Sequence, residues 1–251
     1  MPARRFFVAG THEAGSHVEI DGSDVHKILN VLRMRAGDAL EIVDSSGALF
    51  TATLLGDSGG LRAELVRCEA SAPAQTLRID IAQAVPKGSK MDYAIEKATE
   101  LGASAILPFT SERSIRGHGG ANKVERWRRL AESSAKQSGR LDVPRVADIV
   151  SFEQILAVFE SYDVALFAWE LAPHVPLRDR LEQTLRGVRS AVVLIGPEGG
   201  FSHAEAEAAT ARGAQLLWLG QRILRTETAA LALLAVIGAF IDASVTTTGR
   251  N

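Results

Sequence analysis

Hydrophobic and polar positions follow two different rhythms along this chain. From residue 1 to about residue 70 the apolar positions come in short runs, Arg5–Ala9, Ala39–Asp44, Leu49–Leu55 and Leu61–Cys68. Ser45-Ser46-Gly47 and Asp57-Ser58-Gly59-Gly60 lie between them, and such clusters are where strands turn. One helix fits this region, with Ser23 as N-cap and Val25, Ile28, Leu29 and Leu32 on one face. The pattern predicts a small β-barrel-like domain over residues 1–72, with Ser71-Ala72-Pro73-Ala74-Gln75 as the linker that follows it.

From Leu77 strands and helices alternate. Leu77–Val85, Ala105–Phe109, Arg145–Val150, Val164–Trp169, Ala191–Ile195 and Gln215–Leu219 read as strands. Ser89–Leu101, a long segment capped by Asn122 and stopped by Gly139, Phe152–Phe159, Leu177–Leu185, the segment from Ser202 to Gly213, and Ala230–Ala243 read as helices. Ser202 with Glu205 three residues on is a capping box. Ala191–Ile195 is apolar throughout, too short for a helix and rich in β-branched residues, as a strand buried on both faces is. Residues 73–243 therefore predict an α/β domain, a largely parallel sheet covered on both faces. Residues 244–251 form a polar, frayed tail.

Two strands of this domain end in unusual loops, Gly196-Pro197-Glu198-Gly199-Gly200 and Gly220-Gln221-Arg222-Ile223-Leu224-Arg225-Thr226-Glu227-Thr228-Ala229. In an open parallel sheet such loops line the ligand crevice. Neither fits a mononucleotide P-loop, which needs a lysine followed by Ser or Thr, and nothing in the chain fits the dinucleotide G-x-G-x-x-G. Glycines remove Cβ atoms, so a flat ligand can reach the backbone. Taken alone, the first loop reads rather as a plain turn. Ile223 and Leu224, apolar residues inside a polar loop, suit the walls of a pocket for an aromatic ring.

Composition narrows the choice. A net charge of −2 over 251 residues gives no global pull toward nucleic acid or anionic lipid. Cys68 is the only cysteine, which excludes an internal disulfide and a cysteine-built metal site. No apolar run reaches membrane-spanning length and no leader is visible, so the expected location is the cytoplasm. No His, Asp or Glu cluster has metal-ligand spacing.

At this point the residues resemble a known family. Leu194-Ile195-Gly196-Pro197-Glu198-Gly199-Gly200-Phe201-Ser202, paired with Leu219 to Ala229, is similar to the RsmE family, uridine N3-methyltransferases of small-subunit (16S) ribosomal RNA in the SPOUT class. Pro86-Lys87-Gly88-Ser89-Lys90-Met91, Lys97 to Gly102, Arg113-Ser114 and Gln137 to Arg140 also resemble the family, as do Arg4 to Phe7, His26, Leu32-Arg33 and Gly37-Asp38. The resemblance implies a SPOUT-type α/β knot, a parallel sheet ending in a C-terminal trefoil knot. It implies a small N-terminal PUA-like domain that holds RNA, a homodimer, and S-adenosylmethionine bent in the knotted crevice. It places the cofactor against Leu194, Ile195, Gly196, Pro197, Glu198, Gly199 and Gly200, against Leu219, Gly220, Ile223, Leu224, Arg225, Glu227, Thr228 and Ala229, and more weakly against a third wall at the strand end Phe167-Ala168-Trp169.

Methyl transfer to a uridine N3 must deal with the proton on a poorly nucleophilic imide nitrogen. A base, or a cation at the adjacent carbonyls, favours its loss. Arg225 is the candidate cation, with a salt bridge to Glu227 or Glu198 as the plainer reading. Glu198 is a weaker candidate base, because a nearby helix N-terminus lowers a carboxylate pKa. Arg140, supplied across a dimer, is a third candidate. For RNA, the segment 113–140 holds eight Lys or Arg against two acids, a local charge of +6. A solvated helix face is the plainer reading of such a run. Residues 1–72 are acidic, with seven basic and ten acidic residues. The candidate RNA-binding residues are Arg4, Arg5, His26, Arg33, Arg35, Lys87, Lys90, Arg113, Arg116, Lys123 and Arg126. Trp127 is expected to pack inward. The alternatives are a SPOUT methyltransferase acting on another RNA position and a non-catalytic RNA-binding ribosome-assembly factor.

Overall fold

The computed structural model describes residues 5–20, 22–56, 60–71, 77–114 and 121–248. The chain divides into two compact units, Met1–Ala74 with Ala135–Val143, and Gln75–Ser134 with Pro144–Asn251.

The first unit carries a five-stranded mixed sheet. Its strands are β1 (Arg5–Phe7), β2 (His17–Glu19), β3 (Ala39–Val43), β4 (Ala48–Leu55) and β5 (Arg62–Ser71), in the order β1-β3-β4-β5-β2. β1 pairs parallel with β3 and the other pairs are antiparallel. Phe6, Ile42, Phe50, Leu54 and Leu65 form its core with Ile28 and Met34. The expected helix forms differently. It opens at Gly22 as α1 (Gly22–His26), so Ser23 lies inside it, and continues as a π turn over Lys27–Val31. The wider turn closes with Leu32 N donating to Lys27 O. It buries Ile28 but leaves Leu29 on the surface. The linker residues 72–75 lie outside the described residues.

The second unit is a seven-stranded parallel sheet. Its strands are β6 (Arg78–Ala84), β7 (Ala105–Thr110), β8 (Arg145–Val146), β9 (Val150–Ser151), β10 (Val164–Ala168), β11 (Ser190–Ile195) and β12 (Gln215–Leu217). The order is β12-β10-β11-β6-β7-β8, with β9 also on β7. The single strand expected over Arg145–Val150 is two short pairings. Alternate residues of β11 face opposite cores: Ala191, Val193 and Ile195 one way, Val192 and Leu194 the other. On the first face pack α2 (Lys90–Glu100), α3 (Ala121–Ser138), α5 (Leu177–Thr184) and α7 (Thr226–Thr248), through Met91, Ile95, Trp127, Leu181, Leu233 and Ile237. On the second pack α4 (Phe152–Ala157) and α6 (His203–Ala211), through Phe152, Ile155, Ala206 and Ala209. A sheet covered on both faces needs strands that are apolar throughout, which is why β11 reads as it does. α7 is longer than expected: it begins at Thr226, and residues 244–248 are helical rather than frayed. Among the described residues no helix is long and apolar enough to cross a membrane.

Candidate functional site

The strand order makes the site. β10 lies between β11 and β12, so three strand ends, and the loops leaving them, come together. At the first loop, β11 ends at Ile195 and Gly196-Pro197 stops the ladder. A Cβ on Gly196 would lie 3.1 Å from the Phe201 ring. Gly200 sits at φ +66°, and its N–H closes the turn on Pro197 O at 2.9 Å. A Cβ there would fall 2.5 Å from Glu170 Oε1. Ser202 then caps α6: its hydroxyl accepts from Glu205 N while Glu205 accepts from Ser202 N. The second carboxylate oxygen of Glu205 accepts from Glu112 N at 2.9 Å.

The second loop leaves β12, turns at Gly220 with φ +102°, and enters α7. Thr226, buried at the start of α7, joins the two loops. Its hydroxyl donates to Gly196 O at 2.5 Å and accepts from Gln83 Nε2 at 2.8 Å. Between the loops and the turn after β10 lies a cavity of about 990 Å³, at the upper end of the range for small-molecule sites, roughly 300–1,000 Å³.

Thirteen of the expected cofactor residues line it: Ala168, Ile195, Gly196, Pro197, Glu198, Gly199, Gly200, Leu219, Gly220, Ile223, Leu224, Arg225 and Ala229. Leu194, Glu227 and Thr228 do not. Leu194 points into the core beneath α6, because neighbouring strand residues face opposite ways. Glu227 follows the loop into the first turn of α7, and its Oε2 is buried without a partner. Thr228 is exposed.

The chemistry divides the polar walls into committed and uncommitted groups. Burial raises the Glu198 pKa, but Lys90 Nζ at 2.8 Å, its own backbone N–H and the Lys87 N–H outweigh it and hold the carboxyl below its ordinary range. Glu198 is thus a committed anion and a poor proton acceptor. Arg225 does not form the salt bridge that was the plainer reading of it: neither Glu198 nor Glu227 reaches it. Arg225, Arg222 and Glu170 are exposed, line the cavity and have no hydrogen-bond or ion-pair partner among the described residues. Arg140 lines no part of the cavity; it pairs with Asp142 at 2.5 Å.

Of the third wall the sequence indicated only the end of β10, Phe167-Ala168-Trp169; Ala168 and Trp169 line the cavity, Phe167 is buried in the core, and the turn beyond Trp169 was missed. Trp169, Glu170, Leu171 and His174, on the turn between β10 and α5, face the two glycine loops with Trp218. The His174 and Trp218 rings stack at 4.4 Å. Only the helix-breaking Pro173 and Pro176 mark this turn in the sequence.

The basic candidates are distributed. Arg4 and Arg116 lie outside the described residues. Arg5 is held by Glu41 at 2.8 Å and by Gly139 O. His26, Arg33 and Arg35 are exposed, Arg33 at φ +55°. Arg113 donates to Gly199 O at 2.8 Å, tying its loop to the cavity wall. Lys123 lies over the Trp127 ring at 5.1 Å, and Arg126 pairs with Asp92. Trp127 is fully buried, with Nε1 donating to Asp92 at 3.0 Å. Among the described residues no group of His, Cys, Asp or Glu is placed to hold a metal.

Comparison with known proteins places this architecture. The family model described as RNA methyltransferase domain matches residues 73–238, and the one described as RNA methyltransferase PUA domain matches residues 20–66. The ribosomal RNA small subunit methyltransferase E of Bacillus subtilis is 34% identical over 93% of this chain and 95% of its own length. The crystal structure of ribosomal RNA small subunit methyltransferase E from Neisseria gonorrhoeae, bound to S-adenosyl methionine, superposes with a TM-score of 0.84 at 31% identity, covering 95% of this chain and 98% of that one. A Legionella pneumophila protein solved with the bound cofactor SAM superposes at 0.78, with 26% identity over 95% of this chain and 98% of its own. The chain belongs to the ribosomal RNA small subunit methyltransferase E family.

Proposed function

We propose that this protein transfers a methyl group from S-adenosylmethionine to N3 of a uridine in 16S ribosomal RNA. The observation that carries this reading is the cavity between the Gly196 and Gly220 loops. Its apolar walls, buried Ile195 and Ala229 with partly buried Ala168, suit a flat heteroaromatic ring. The ionic groups with no partner among the described residues, Arg222, Arg225 and Glu170, are left to meet the acceptor base. When bound, S-adenosylmethionine supplies an electrophilic methyl carbon, and the protein has to orient it and make the acceptor nucleophilic. Gly196, Gly199 and Gly200, lacking Cβ atoms, let Phe201, Arg113 and Glu170 pack against the loop that borders the cavity. Thr226 holds the two loops in register. Arg225 places positive charge where an imide carbonyl gains negative charge as the adjacent N–H is lost.

The same reading includes a homodimer, RNA contacts by the 1–72 domain and the basic residues near α3, and the cytoplasm as its location. A C-terminal trefoil knot in the 73–243 domain belongs to it too. The late strand β11, inserted between β6 and β10, supports such a crossing. Tyr93 of α2 and Val236 of α7, half-exposed on largely buried helices, offer a surface that a second copy would cover.

Two measurements test it. Calorimetric titration of the purified protein with S-adenosylmethionine should give saturable binding; no binding would leave a non-catalytic RNA-binding factor. Small subunits from a strain lacking the gene should gain N3-methyluridine when treated with protein and donor. A methyl at another RNA atom would select a different acceptor.

A further inference from the structure

The third wall carries a group that the two glycine loops do not explain. Glu170 stands on the turn after β10, lines the cavity, and has no partner among the described residues. Its Oε1 occupies the space that a side chain on Gly200 would need, 2.5 Å from the place of a Cβ. The other carboxylate on the cavity wall, Glu198, is bound to Lys90 and the Lys87 N–H. Among the described residues the cavity therefore offers one uncommitted carboxylate, Glu170, and two uncommitted guanidinium donors, Arg222 and Arg225. A uracil presents along one edge carbonyl, N–H and carbonyl. An acceptor flanked by donors is the complement of that edge.

Resting on the reading above, we infer that Glu170 is the proton acceptor for the uridine N3–H. The proton passes to a Glu170 carboxylate oxygen, and its bonding pair stays on N3 as the in-plane lone pair. The N3–C bond then forms as the methyl carbon leaves the sulfonium sulfur, which keeps the C–S pair and becomes a neutral thioether. Negative charge on Glu170 and positive charge on sulfur are both lost, so charge balances. N3 has one in-plane direction for both the departing proton and the arriving methyl. Proton removal therefore precedes methyl transfer, and the base has to withdraw between the steps. An exposed side chain on a turn can withdraw; Glu198, held by Lys90, cannot.

The test uses the full-length protein, its donor and small-subunit RNA carrying either uridine or 5-bromouridine at the target. The bromine makes N3–H more acidic and lessens the need for a base. Wild-type transfer to N3 establishes the underlying reading; transfer to another atom overturns both. Glu170→Gln should bind S-adenosylmethionine within about twofold of wild type by calorimetry. Its single-turnover rate on uridine should fall by roughly a hundredfold or more, the usual contribution of a positioned base. On 5-bromouridine most of that deficit should disappear. Donor affinity falling in step with rate would make Glu170 a cofactor ligand. An equal deficit on both acceptors would make it structural, and an unchanged rate would remove it from the reaction. Each of these overturns the inference.

Discussion

Arg225 and Gly200 show what single residues contribute to the cavity. The Arg225 side chain has no hydrogen-bond or ion-pair partner among the described residues, so its removal orphans no group there. Arg225→Ala should keep donor affinity within a few-fold and lower the transfer rate roughly 10²–10³-fold, as loss of one charge-stabilising donor does. Calorimetry and single-turnover transfer separate the two effects; equal losses would make Arg225 a binding residue. Gly200 is constrained twice, by φ +66° and by Glu170 against its face. Gly200→Ala should cost about 1–2 kcal/mol in urea unfolding and displace Glu170, slowing transfer more than it weakens donor binding. Tyr162 bears on stability instead. Burial, then the hydrogen bond to Asp80, raise its phenol from about 10 to about 12. The neutral phenol is favoured in the folded state, so its contribution is complete below pH ~10 and lost as pH rises toward ~12. Tyr162→Phe should flatten the decline in unfolding free energy across that window.

Elements, more than residues, decide how much of this site a sequence reveals. The junction of β6, the Gly196 loop and α7 rests on Thr226 between Gln83 and Gly196. Thr226→Val keeps the shape and removes both bonds, leaving Gln83 Nε2 with Ala84 O alone and Gly196 O without the hydroxyl, at a cost of about 1–3 kcal/mol. Stability should fall by that amount and donor binding weaken roughly tenfold, since 1.4 kcal/mol is a factor of ten; Thr226→Ser should restore most of both. The Ser202–Glu205 box that starts α6 was legible because the whole signal lies within four residues. The buried strand β11 was legible because two-sided burial leaves no polar positions. β2, three residues with only the middle one buried, carries too little pattern to see. The turn beyond Trp169 was invisible for a different reason. Glu170 to His174 become site residues only because β10 inserts between β11 and β12, an order the chain sequence does not follow. The π turn after α1 likewise follows from packing rather than from local propensity.

At the scale of the whole molecule the question is how much charge the protein can offer a polyanion. The segment 113–140 reads as +6 in isolation, but several of its cations are met by acids from elsewhere in the chain. Asp92 takes Arg126, Asp148 takes Arg128, Asp24 takes Lys136 at 2.7 Å, and Asp142 takes Arg140. These partners lie up to 112 residues away in sequence, so counting charge along one segment cannot find them. The field of this face is weaker than its composition, in a chain whose net charge is −2. RNA affinity should still fall with salt, by about 0.7–0.9 in the log–log slope for each phosphate neutralised. Arg126 is already paired with Asp92, whereas the described contact of Arg129 is its Nε to Glu125 O at 3.4 Å, a carbonyl that leaves its charge unneutralised. If α3 meets RNA, Arg129→Ala should reduce the slope by just under one, and Arg126→Ala should leave it nearly unchanged. Filter binding of small-subunit RNA over a salt series measures both. Equal reductions would mean that the Asp92 pair opens on binding, and no change in either would remove this helix face from the interface.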